Sequence, residues 1–117
     1  MSDVFDRDRL VEQLGGESIV EELLVMFTAS ITQHLGELAE ALESNDTAAA
    51  QRAVHNIKGI SGSIYCRTLH ERATVVDQLL KAGQIDLTSI AQLRHAAREF
   101  LTAVSYTHLR AHETVRN

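Results

Sequence analysis

Residues 50–64, AQRAVHNIKGISGSI, decide how the rest of the chain is read. At about 100° per residue, Ala50, Ala53, Val54, Ile57, Ser61 and Ile64 fall on one side, the face of a helix that must meet a core. His55 then points almost directly away, with Lys58 at i+3, Gly59 at i+4 and Gly62 at i+7 as its surface neighbours. A glycine inside a helix costs about 1 kcal/mol against alanine, so two of them beside an outward imidazole call for an offsetting gain. Removing side chains from around the ring, so that a bulky surface can come close, is such a gain. Lys58 sets a compact positive charge one turn away, where it would stabilise an incoming phosphoryl group. Nucleophile, charge and clearance together point to phosphoryl transfer through a phosphohistidine.

On either side of this segment the pattern is helical. Leu10, Val11 and Leu14 mark a short first helix over 6–14, stopped by Gly15-Gly16. From Glu17, the apolar series Ile19, Val20, Leu23, Leu24, Phe27, Ile31, Leu35, Leu38 and Leu42 keeps one face for about seven turns. Ser44-Asn45-Asp46 breaks that run, and Asn45 or Asp46 caps the third helix, which starts at Thr47 and carries the opening segment to about Ile64. A fourth helix over 68–82 presents Leu69, Ala73, Val76 and Leu80 and ends at Gly83; Asp86 caps a fifth that faces Ile90, Leu93, Ala97, Phe100, Leu101 and Val104 inward. Long amphipathic helices with short connections predict an all-α fold: an up-down antiparallel four-helix bundle with a short extra N-terminal helix, over residues 1–104. Beyond Val104 the stripe fades, and 105–117 read as a tail, either a frayed extension or residues from a cloning vector.

Composition agrees with one helical domain. The chain has 117 residues, no proline and six glycines, few of the turn residues an all-β fold needs. A net charge of −5 and the lack of a basic cluster argue against a nucleic-acid partner. Apolar runs fall far short of the roughly 20 residues that span a bilayer, and the N-terminus lacks a signal-peptide layout, so a cytoplasmic location and no membrane partner are expected. The single cysteine, Cys66, has no internal disulfide partner and reads as a small half-buried residue.

HNIKGISGS, embedded in a long helix and preceded by LVMFTASITQHLGELAEALESNDTAAAQRAV, resembles the histidine-containing phosphotransfer (HPt) domain of multistep two-component signalling. The resemblance covers roughly residues 5 to 104 and rests on His55, Ile57, Lys58, Gly59, Ser61 and Gly62. It implies that His55 accepts a phosphoryl group from an aspartyl phosphate on a receiver domain and passes it to an aspartate on another receiver. It also implies partners that are receivers and a hybrid sensor histidine kinase. The domain would have no kinase or phosphatase site and no cofactor of its own, Mg²⁺ being supplied by the receiver. Two residues depart from the family pattern: Ile60, where a small residue is more usual, and Tyr65, where a glycine commonly follows the aliphatic Ile64. In this family a polar residue on the fourth helix often hydrogen-bonds the histidine. Gln78 and Lys81 project from the polar side and are candidates, with Asp77 the alternative occupant.

The remaining histidines read as ordinary polar residues. His34 and His70 fall on outer or boundary faces, and His95 sits between Arg94 and Arg98. His108 and His112 have the spacing of a helical metal pair but lack a third ligand, so no metal is expected. Two other functions fit a helical chain. A non-catalytic interaction module would gain nothing from glycines around an exposed histidine. The phosphoacceptor helix pair of a sensor kinase typically follows its histidine with an acidic residue, where Asn56 stands. An exposed nucleophile used for docking favours a monomer.

Overall fold

The computed structural model describes the backbone of residues 6–116 and the side chains of 6–105. Five helices follow one another: α1 (Arg7–Leu14), α2 (Glu17–Glu43), α3 (Thr47–Ser63), α4 (Arg67–Lys81) and α5 (Leu87–Arg116). Each boundary has a local cause. Asp6 caps α1 by accepting from the Arg9 amide at 3.1 Å, Asp46 caps α3 by accepting from the Ala49 amide at 3.0 Å, and Asp86 accepts from the Thr88 amide at 3.1 Å and the Ser89 hydroxyl at 3.0 Å. The ends of α2, α3 and α4 share one device, a single residue in the left-handed region: Asn45 (φ 55°), Tyr65 (φ 57°) and Gly83 (φ 77°). After each, an amide reaches back to the last turn, as Asp46 to the Ala41 carbonyl at 2.8 Å, Cys66 to Ser61 at 2.9 Å and Gln84 to Leu79 at 2.8 Å.

Packing follows the apolar stripes. The α3 helix lies between α2 and α4, α5 packs on α4 and closes the bundle against α2, and α1 rests on α2. Short turns between these neighbours make successive long helices antiparallel. Ile31, Leu38, Ile57, Leu69, Leu93 and Phe100 are fully enclosed, and each such side chain contributes about 1.5–3 kcal/mol by leaving water. Ser61 sits in this core without penalty because its hydroxyl donates to the Ile57 and Lys58 carbonyls at 2.8 and 3.0 Å. Among the described residues, no helix is long and apolar enough to cross a membrane. The backbone of α5 continues past Val104 to Arg116. The side chains beyond Ser105, those of His108 and His112 included, lie outside the described residues, as does any reading of where the tail comes from.

Tyr65 shows what replaces the glycine usual at that position. A non-glycine residue in the left-handed region costs about 1–2 kcal/mol. Its ring lies under the Arg9 guanidinium, 4.2 Å from ring centroid to Cζ, and its hydroxyl donates to Gln13 Oε1. Both contacts tie α1 to the α3–α4 turn, so the strained residue clamps the short helix to the bundle.

Candidate functional site

The site grows out of one polar interruption in the apolar stripe of α4. Asp77 lies one turn after Ala73 and one turn before Leu80, in phase with the core, and its side chain is fully removed from solvent. A buried carboxylate must be paired or hydrogen-bonded. Gln51 Nε2, on α3, donates to Asp77 Oδ1 at 2.7 Å. The other oxygen, Oδ2, is sealed from water and makes no well-aligned hydrogen bond, yet three cationic or potentially cationic groups converge on it: Lys81 Nζ at 3.2 Å, Lys58 Nζ at 3.6 Å and His55 Nδ1 at 3.9 Å. Burial alone would raise the Asp77 carboxyl. The Gln51 hydrogen bond, Lys81 and the more distant Lys58 outweigh burial and hold it below its ordinary value of 3.8.

The two lysines in this arrangement are the only two in the chain. Together with Asp77 they leave one net positive charge beneath the imidazole. The His55 ring stands above them with 61% of its side chain exposed. Its Nδ1 is the ring nitrogen that faces the carboxylate, at 3.9 Å and so beyond hydrogen-bond length.

Gly59 and Gly62 behave differently. A Cβ on Gly59 would meet nothing within 4 Å, so that glycine keeps the surface beside His55 low. A Cβ on Gly62 would stand 3.2 Å from His70 Nδ1, and that same nitrogen lies 3.0 Å from the Lys58 carbonyl. Gly62 therefore also makes room for an α4 side chain that ties the two helices together. On the α2 side of His55, Phe27, His34, Gly59 and Ile60 line an open groove that includes the ring itself. Ile60, one of the two departures, packs partly against the core and lines this groove.

The structure brings together His55, Lys58, Lys81 and Asp77 from the sequence candidates, while Gln78 is exposed. Lys81 does not simply project into solvent, because Asp77, four residues earlier on the same helix, draws it in. Gln51 was not among the candidates. Its place one turn before His55, beside the core positions Ala50 and Val54, was the available signal. His34 and His70 are corrected from solvated to half-buried: His34 Nδ1 meets Glu37 Oε1 at 2.6 Å, an interaction that lowers the Glu37 carboxyl, and His70 holds the Lys58 carbonyl. His95 is exposed beside Glu99 as expected of a surface residue. The Cys66 thiol is buried and pushed up to about 12 by desolvation, which leaves it unreactive. Among the described residues no group of three or more histidine, cysteine or acidic side chains could hold a metal ion.

A helical bundle that exposes one imidazole midway along a helix, over lysines and beside a glycine, has the architecture of a phosphotransfer domain. The Hpt domain model matches residues 22–107. The phosphorelay intermediate protein rdeA of Dictyostelium discoideum is 30% identical over 83 residues, an overlap of 70% of this chain and 33% of that protein. The chain thus spans about a third of the length of this curated relative. The crystal structure of the HPT domain from an Hpt sensor hybrid histidine kinase of Shewanella superposes with a TM-score of 0.79 at 21% identity, covering 92% of this chain and 96% of that one, a likeness of fold. The chain belongs to the Hpt domain family, whose members are phosphotransfer intermediates that relay phosphoryl groups between kinases and receivers.

Proposed function

We propose that His55 is the phosphoacceptor and that this domain takes a phosphoryl group from an aspartyl phosphate on one receiver domain and passes it to an aspartate on another. The observation that carries this reading is the position of His55: largely exposed, yet standing over a buried carboxylate with two lysines gathered on it. In the transfer, the Nε2 lone pair attacks phosphorus, the new N–P bond forms and the P–O bond to the receiver's carboxyl breaks. The carboxylate leaves with the electron pair, and no proton need move as long as Nδ1 carries the hydrogen. Charge accumulates on the phosphoryl oxygens. Lys58 and Lys81 are placed to meet it, and groups so placed are worth about 10²–10³ in rate at enzymatic oxyanion sites. Partial exposure of both ammonium groups argues for the lower part of that range.

Docking is the other requirement. The groove beside His55 offers Phe27 and Ile60 as apolar contacts, with Gly59 leaving the approach to the ring open. A receiver docks here one-to-one and transiently, its own Mg²⁺ holding the phosphoryl group at the start, while the domain works as a monomer in the cytoplasm. The test is incubation with a panel of phosphorylated receivers, scoring acid-labile, base-stable phosphate on the wild type and on His55→Gln. Label on the wild type alone is expected. A folded protein that takes no label from any receiver would instead be a helical interaction module.

A further inference from the structure

The groove beside His55 has a second imidazole in its wall. From α2 the groove takes two side chains, Phe27 and His34, about two turns apart on one face of the helix. His34 keeps only 17% of its side chain exposed, and its Nδ1 meets Glu37 Oε1, one turn further on, at 2.6 Å. The Glu37 carboxyl is held below its ordinary value of 4.5, chiefly by this contact, and is therefore ionised at neutral pH. An ionised carboxylate can only accept a hydrogen bond. The hydrogen of the neutral His34 ring thus sits on Nδ1, and Nε2 keeps its lone pair. Among the described residues, nothing hydrogen-bonds that second nitrogen. The fold gains little from the pair, since an ion pair at a half-exposed carboxylate adds little stability. What Glu37 does supply is a ring held in one orientation with one acceptor unclaimed.

Resting on the phosphotransfer reading above, we propose that His34, held by Glu37, selects among receivers: its Nε2 accepts a hydrogen bond from a receiver that sets an N–H or O–H donor against α2, and disfavours one that sets a carbonyl or carboxylate there. The surrounding charge points the same way. Glu37 also walls a neighbouring hollow, where it is joined by Glu40 and Asp46 against one cation, Arg52. Asn56 lines both the hollow and the groove, so this negative side of the α2–α3 seam adjoins the place where a receiver docks. A negative potential favours a partner's donors and cations and opposes its acceptors. Phe27 and Ile60 cannot make this choice, because apolar contacts accept any apolar patch of suitable shape. A polar group already largely out of water does discriminate, since a partner that leaves it unpaired forfeits a hydrogen bond. His34 thus acts on docking rather than on the transferred atoms, and its effect belongs in KM.

The experiment measures transfer from a panel of phosphorylated receivers to wild type, His34→Leu and His34→Gln, with KM and kcat separated for each receiver. For the receiver that the wild type prefers, KM is expected to rise about tenfold in His34→Leu, the worth of one hydrogen bond, while kcat holds. A smaller rise is expected in His34→Gln, whose amide oxygen restores an acceptor. Receivers that the wild type disfavours should lose little or nothing in His34→Leu, so the spread across the panel narrows. Imidazole nitrogen NMR of the wild type, titrated with the preferred receiver in its unphosphorylated form, is read beside the kinetics, so that a poorly folding variant does not decide the matter. The His34 Nε2 signal is expected to shift as that of a hydrogen-bond acceptor, with Nδ1 still carrying its hydrogen. An equal KM in wild type and His34→Leu for every receiver, a loss confined to kcat, or an Nε2 signal that ignores the receiver would overturn the selection while leaving His55 as phosphoacceptor. Absence of label on the wild type from every receiver would overturn both.

Discussion

The middle of α3 and its C-terminal turn both break the rules of a good helix, and they do so on opposite terms. At the C-terminal turn every irregularity is answered within the molecule. Gly62 gives up helix propensity and gains the close approach of His70; Tyr65 accepts a left-handed backbone and gains Arg9 and Gln13. In the middle, Gly59 loosens the helix at a place where a Cβ would meet nothing within 4 Å, and beside it His55 spends an imidazole on solvent. Strain matched by an internal contact is architecture. A weakened stretch without an internal match is where, on the phosphotransfer proposed above, a receiver would supply the missing contact.

Substitutions separate the two regions. The largest effect is expected from Gly59→Gln, whose side chain would stand where a receiver must approach. Transfer should fall more than tenfold while thermal stability holds or rises, and active Gly59→Gln protein would break the comparison. Next comes a contrast of sign in thermal or denaturant unfolding. Gly59→Ala should gain about 1 kcal/mol from helix propensity. Gly62→Ala should lose about 1 kcal/mol, since overpacking against His70 costs about 1–3 kcal/mol set against the same gain. Equal effects at the two positions would mean that His70 yields freely.

Acid unfolding sharpens the site's half of the comparison. Because the Asp77 carboxyl titrates below its ordinary value in the fold, the unfolded chain binds the proton first as pH falls. Its contribution is therefore present above about pH 3.8 and lost as pH drops through the folded value. Unfolding measured from neutral pH downward should show this loss in wild type and a flatter curve in Asp77→Asn. The smallest expected effect is that of Tyr65→Gly. Relief of about 1–2 kcal/mol of backbone strain is set against a lost hydrogen bond and a lost cation–π contact, each worth about 0.5–1.5 kcal/mol. Global stability should change little, while amide exchange in α1 quickens.

The same division explains what the sequence made legible. Helix order, the outward phase of His55 and the position of Lys58 one turn away all depend on spacing within a single helix, which periodicity reports directly. Asp77 carried a signal too, an acidic residue in phase with Ala73 and Leu80, but its meaning depends on what α3 brings opposite. Gln51, the partner that holds it, is one of several polar residues on α3, and only the packing of α3 on α4 singles it out. Gly62 looked like Gly59 because the two share a face of the helix. What separates them is His70, eight residues further on and on the next helix. Tyr65 was conspicuous as a departure, yet its partners lie more than fifty residues earlier in the chain, beyond the reach of any local pattern.

The account turns on one atom, a ring nitrogen of His55, and phosphorus NMR of the protein after exposure to a phosphorylated receiver reads it directly. A single phosphoramidate resonance, present in wild type and absent in folded His55→Gln, is the predicted result. The same resonance persisting in His55→Gln, or none in wild type that has demonstrably bound the receiver, would contradict it.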